Sequence, residues 1–195
     1  MLARVAFSAL IILGAGAPLS AAQPVDRSGT KFTHIAGISV GETVFADVRR
    51  RFGAATVVST GDAGGAMRSL CYWLPAQQIQ VTFRSSELGG PKREVTGVDV
   101  ERAARRARSC AVPPRGQHQI LSRLPAGLSL GSTRKDVAVA LGIRHFAARG
   151  MLSRMYESRQ RLHGRPYDLT ITVTAAFSPS RRGMVRFTLD RAATV

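Results

Sequence analysis

At 195 residues the chain can form one domain or two small ones. It holds 28 Lys and Arg against 12 Asp and Glu, a formal net charge of +16, and this excess argues for anionic surroundings or an acidic partner. Past residue 22 no apolar run approaches the roughly 20 residues that a membrane-spanning helix needs, so no transmembrane helix is expected there.

The first 22 residues read as a targeting segment. Arg4 supplies a positive start, Val5 to Leu13 an apolar stretch, and Ser20-Ala21-Ala22 the small residues of a cleavage site. The expectation is export, with cleavage after Ala22 into the periplasm or out of the cell. No Cys follows that site, so a bacterial lipid anchor has no attachment point. Removing this segment takes away only Arg4 among the charged side chains and leaves +15, shared as +5 over residues 23–110 and +10 over 111–195. Residues 23–33 mix Pro, Asp, Ser, Gly and Lys without periodicity and are expected to form a mobile leader.

From His34 onward the pattern becomes regular. Thr43 to Phe52 predicts a helix with Phe45, Val48 and Phe52 on its buried stripe and Arg49, Arg50 and Arg51 in solvent. After a Gly-containing loop at 61–65, three strands are predicted: Arg68 to Leu74, Gln78 to Arg84 and Glu94 to Glu101. The second alternates cleanly, with Ile79, Val81 and Phe83 on one face and Gln80, Thr82 and Arg84 on the other. Arg102 to Arg108 is Ala-rich and basic, and is expected to make a helical turn. Residues 111–124, with Pro113, Pro114 and Gly116, have the composition of a linker. Thr133 to Leu141 predicts a second helix. It is followed by strands at Leu152 to Leu162, Tyr167 to Phe177 and Met184 to Arg191, with Tyr156 answering Tyr72.

The order thus runs twice through helix, loop and three strands. The repeated phrase is Gly131-Ser132-Thr133, then Val137, Leu141 and Gly142, matched by Gly41-Glu42-Thr43, Val48, Phe52 and Gly53. In the second copy Thr133 and Asp136 have capping-box spacing, and Gly142 stands where a left-handed C-cap favours glycine. This pattern resembles the SmpA/OmlA (BamE-like) envelope domain, and its doubling is similar to the arrangement of the β-lactamase inhibitor family. The resemblance implies protein–protein contact, in envelope assembly or in inhibition of another protein, and no catalysis. The expected fold class is α+β: two tandem units, each a short helical segment followed by a three-stranded antiparallel sheet. Its parts are a signal peptide (1–22), a leader (23–33), unit one (34–110), a linker (111–124) and unit two (125–195).

Two cysteines in an exported chain read as a disulfide, Cys71 to Cys110, with two buried thiols as the alternative. No metal or other cofactor is expected. The four histidines, His34, His118, His145 and His163, are scattered, and none has the spacing of a hydrolytic triad or a zinc motif. The expected binding residues are therefore those on the polar strand faces. Gln80, Thr82, Arg84, Thr170, Thr172 and Arg186 would meet an envelope or secreted protein, with Trp73 as an aromatic anchor; the alternative for Tyr72 and Trp73 is a place in the core, packed on the disulfide beside Cys71. A second reading takes Arg102, Arg105 and Arg106 as a site for an anionic envelope component: lipopolysaccharide, anionic lipid or polymer. Nucleic acid is disfavoured, because the wet strand faces are rich in Thr and poor in aromatic residues.

Overall fold

The structure is a computed structural model and describes residues 29–61, 65–145, 150–162, 165–178 and 183–194. The targeting segment lies outside these residues, as does His163. Among the described residues no helix is long and apolar enough to cross a membrane.

The elements follow the periodicities of the sequence. A two-residue hairpin pairs β1 (His34–Ile35) with β2 (Ile38–Ser39) and leads into α1 (Phe45–Phe52). Then come β3 (Val57–Thr60), β4 (Met67–Leu74), β5 (Ile79–Ser85) and β6 (Gly97–Arg102). The one-turn helix α2 (His118–Leu121) and the helix α3 (Arg134–Leu141) precede β7 (Leu152–Leu162), β8 (Arg165–Phe177) and β9 (Met184–Thr194). α1 buries Phe45, Val48 and Phe52 and leaves Arg49, Arg50 and Arg51 exposed, as an amphipathic stripe requires. α3 begins with the capping box. The Thr133 hydroxyl accepts from the Asp136 N–H, the Asp136 carboxylate accepts from the Thr133 N–H and hydroxyl, and these bonds hold the Asp136 pKa below its usual range. It ends on Gly142 in the left-handed conformation, at φ 68°. α1 lacks this cap, since the extra residue before Val48 leaves Val44 at the N-cap, and the Thr43 hydroxyl accepts from the Ser39 N–H instead.

The architecture differs from two three-stranded units. Among the described residues strand makes up 43% and helix 21%, so the fold is mostly β rather than α+β, with three α-helices. All strands from β3 on belong to one antiparallel sheet in the order β3-β4-β5-β6-β9-β8-β7. Its centre is the pairing of β6 with β9, which sets Gly97 opposite Asp190, Val98 opposite Leu189, Val100 opposite Phe187 and Glu101 opposite Arg186. Periodicity within each half reveals its strands, but it carries no information that the last strand of one half pairs with the last strand of the other. The short β3 was also missed, because Val57 to Thr60 is too brief to show alternation.

One face of this sheet is dry. Leu70, Tyr72 and Leu74 of β4, Val81 and Phe83 of β5, Val98 and Val100 of β6, and Phe187 and Leu189 of β9 point into a single core with Val48, Phe52, Val137 and Leu141 of the helices. Leu121 of α2 is fully buried there too, so residues assigned to a linker by composition contribute to the core. The end of the expected leader does the same. Thr30–Phe32 forms a turn of 3-10 helix, and Phe32 is fully buried with its ring 5.6 Å from that of Tyr156 on β7. Residues 23–28 lie outside the described residues.

Two tyrosines tie the sheet to the helix ends. The Tyr72 hydroxyl donates to the Gly53 carbonyl at 2.8 Å, and the Tyr156 hydroxyl to the Leu141 carbonyl at 3.1 Å. These carbonyls stand among the acceptors that a helix C-terminus leaves without an internal partner.

Burial pushes the Tyr72 phenol up to about 12, against a smaller opposing effect of Arg49. Its folded value lies above the ordinary 10.0, so its contribution to stability is complete below pH 10 and falls as pH rises from there toward 12. Tyr72→Phe should cost about 1–2 kcal/mol at neutral pH by orphaning the Gly53 carbonyl. It should also flatten the alkaline limb of stability against pH between 10 and 12, measured by urea unfolding at each pH. An unchanged limb would show that another group titrates there.

Candidate functional site

The second face of the sheet carries every polar-face residue expected from the sequence. Strand alternation puts Trp73, Gln80, Thr82, Arg84, Thr170, Thr172 and Arg186 on the same side. The ladder registers then arrange them in rows across the strands. One row runs Ser69, Arg84, Gly97, Asp190, Thr172, Met155 from β4 to β7. The next runs Cys71, Thr82, Asp99, Thr188, Thr174, Ser153, and a third runs Trp73, Gln80, Glu101, Arg186, Ala176. Thr170 lies farther along β8, opposite Ala192 and Glu157. The single sheet thus joins into one surface what two units would have presented separately.

Trp73 has a different environment from the rest. It points to the outer face, opposite to Tyr72, but it is only 7% exposed. A strap of residues 103–111 folds back over this end of the sheet, without the helical turn expected at Arg102 to Arg108. At the start of the strap the Ala103 N–H donates to the Gln78 carbonyl at 3.0 Å, and three contacts hold its end. A disulfide joins Cys110 to Cys71, the Ala111 N–H donates to the Cys71 carbonyl at 2.9 Å, and the Trp73 N–H donates to the Ala111 carbonyl at 2.7 Å. Cys71, Trp73 and Cys110 form a small apolar cluster of their own, with Ala103 against it. Trp73 therefore anchors the strap, and the open part of the face begins at β5.

That open part is a network of charge pairs. Arg84 donates to Asp99 at 2.6 Å and to Asp190 at 2.8 Å, Thr188 donates to Asp99 at 2.8 Å, and Arg186 donates through Nε to Glu101 at 2.7 Å. Gln80 reaches Glu101 at 3.4 Å. Gly97 makes this geometry possible, because a Cβ there would lie within 2.7 Å of the Asp190 carboxylate and 2.8 Å of the Arg84 guanidinium. The absence of a side chain lets Arg84 cross β6 and bridge to β9. Two of the expected binding residues, Arg84 and Arg186, thus have their charges matched within the sheet, whereas Thr170 and Thr172 stand on the wider part toward β7. On β5, β6, β8 and β9 the outer face holds two arginines, Arg84 and Arg186, against four carboxylates, Asp99, Glu101, Asp168 and Asp190. In a chain of net charge +16 this face is locally acidic.

The arginines expected to bind an anion are separated. Arg102 lies on the core side of β6 by strand parity and donates to the Leu130 carbonyl at 3.1 Å. Arg105 and Arg106 lie on the strap, where Arg106 donates through Nε to the Cys110 carbonyl at 2.7 Å.

Each described histidine has its own surroundings. His34 contacts the Thr33 hydroxyl at 3.0 Å, His118 contacts the Pro113 carbonyl at 3.0 Å, and His145 is exposed. Among the described residues no group of three or more His, Cys, Asp or Glu could hold a metal ion. No family model matches the chain, and no curated protein or solved structure matches it.

The Arg84–Asp190 pair is partly solvated, with side chains 18% and 45% exposed, so a double-mutant cycle of Arg84→Ala and Asp190→Ala should give a coupling of about 0.5–1 kcal/mol that weakens with salt. In a Gly97→Ala background the added methyl should push the partners apart and bring that coupling close to zero. The disulfide closes a loop with a sequence separation of 39, worth about 4 kcal/mol in the chain-entropy model. Cys71→Ser with Cys110→Ser should lower stability by about 2–4 kcal/mol and shift the emission of Trp73, the single tryptophan, to the red. Unshifted emission in the folded double variant would mean that backbone pairing alone keeps the strap over the ring.

Proposed function

We propose that the chain is an exported, non-catalytic protein-binding module of the bacterial cell envelope, and that it meets an envelope or secreted partner with the outer face of its sheet. The observation that carries this reading is the division of the sheet into a dry face, which takes all three helices into one core, and a broad polar face. Thr170, Thr172, Thr174 and Thr188 remain half-buried or open to solvent on that polar face. An interface needs about 800 Å² per partner, and a rigid sheet holds such an area at little entropic cost. The sequence resemblance to the SmpA/OmlA domain, which implies action through protein contact, points the same way.

The charge of this face changes the partner that the composition alone suggests. With four carboxylates against two arginines on β5, β6, β9 and β8, the face complements a neutral or basic surface rather than an acidic one.

The test is crosslinking and capture from envelope extract with the mature chain. Thr170→Arg with Thr172→Arg places two large cations on the open face and breaks none of its charge pairs, so it should reduce the recovered partner at least tenfold while the melting temperature stays unchanged. Recovery of the same proteins in the same amounts by the variant would remove the sheet face as the contact surface.

A further inference from the structure

The cationic side chains that the fold does bring together lie beside the sheet. A cleft of about 360 Å³ opens between the C-terminal end of α1 and the strap. Arg49 reaches it from the exposed side of α1, and Arg106 and Arg108 reach it from the strap. The rest of its wall is formed by residues 54–57 and 109–111 and includes no Asp or Glu. None of the ion pairs among the described residues involves Arg49, Arg106 or Arg108. The bond from Arg106 to the Cys110 carbonyl engages only Nε and leaves the two terminal nitrogens of that guanidinium for another acceptor.

Three like charges around one small cleft repel one another, and no neighbouring carboxylate in the wall offsets the repulsion. The strap stays in place despite it because the disulfide and the two backbone bonds at Ala111 fix its end against β4. The arginines are thus held near one another before any ligand arrives, which lowers the entropic cost of binding. Each guanidinium offers a planar fork matched to a pair of anionic oxygens. A carboxylate has two oxygens and one charge and satisfies one fork. A terminal phosphate has three oxygens and close to two charges and can engage all three.

We propose that the cleft formed by Arg49, Arg106 and Arg108 binds a phosphate monoester. The volume admits the phosphate and a small part of the group that carries it. The site stands apart from the sheet-face reading, because no residue of the cleft belongs to the open rows from β5 to β7.

The same chemistry can come from a soluble ester or from a lipid headgroup, and two probes separate them. Calorimetric titration with phenyl phosphate at low salt reads the first. Co-sedimentation with phosphatidylcholine vesicles containing phosphatidic acid reads the second. The wild-type chain should bind at least one probe, less tightly as salt rises. Arg49→Gln with Arg108→Gln should weaken that binding at least tenfold, and Arg159→Gln, on β7 at the far edge of the sheet, should leave it unchanged. Binding of phenyl phosphate identifies a soluble ester, and binding to vesicles alone identifies a headgroup. Arg49→Gln alone, which leaves the strap intact, serves as the second variant if the double one melts early. The proposal is overturned if neither probe binds, if the cleft variants keep wild-type affinity, or if Arg159→Gln loses as much as they do.

Discussion

The pairing of β6 with β9 is the contact on which the rest of the fold depends. Each is the last strand of its half of the chain, and each would otherwise present a row of unpaired backbone groups at the edge of a small sheet. Their ladder removes both edges at once and aligns Val98 and Val100 with Leu189 and Phe187, so the dry faces of the halves become one. The burial then extends beyond the sheet. Phe32, from the first segment described, packs on Tyr156 of β7, and the Arg102 side chain reaches the Leu130 carbonyl ahead of α3. The Arg191 guanidinium lies so close to Gly41 that a side chain there would collide with it, and the φ of 90° at Gly41 independently favours glycine. Contacts of this kind, made in both directions across the chain, are not those of two units joined by a tether.

With the centre closed, only the outer edges remain, and each is handled differently. β3 is four residues long, and beyond its start the exposed edge of β4 is taken up by Ala111, bridged in parallel to Tyr72. The disulfide therefore fixes the piece of backbone that completes this edge, and burial of Trp73 follows from the same arrangement. β7 is long and open, with Arg154 and Arg159 exposed along it, and like charge disfavours pairing with a second copy.

The local grammar of this fold was legible in the sequence, and its long-range grammar was not. Alternation at Ile79 to Phe83 and at Leu169 to Val173 located strands, and Thr133 with Asp136 located a helix start, because each signal lies within a few residues. That Tyr72 and Trp73 point opposite ways was legible for the same reason, and packing on the disulfide beside Cys71 was one reading of the pair, but the strap that covers Trp73 was not legible, since Cys110 and Ala111 lie far along the chain. Parity within each strand also predicted that the residues expected to bind would share one polar face. The partnership of Arg84 with Asp190 required knowing that β6 and β9 are neighbours and that Gly97 lies between them. Arg49 and Arg108 were read as a wet helix face and part of a basic run, and only the fold places them around one cleft.

The arrangement of charge follows from these same constraints. Carboxylates on β6, β8 and β9 gather on the outer face, where Arg84 and Arg186 neutralise part of them, and Arg49, Arg106 and Arg108 stand apart from that face on α1 and the strap. A net charge of +16 attracts any anion to the molecule from a distance, but within a Debye length of about 8–10 Å the local groups decide where it settles. An anion that arrives at the sheet meets Asp99, Glu101 and Asp190, whereas one that arrives at the cleft meets three guanidinium groups and no acid. Two surfaces of opposite local sign on one rigid body therefore need not compete for a ligand. The total charge describes neither of them.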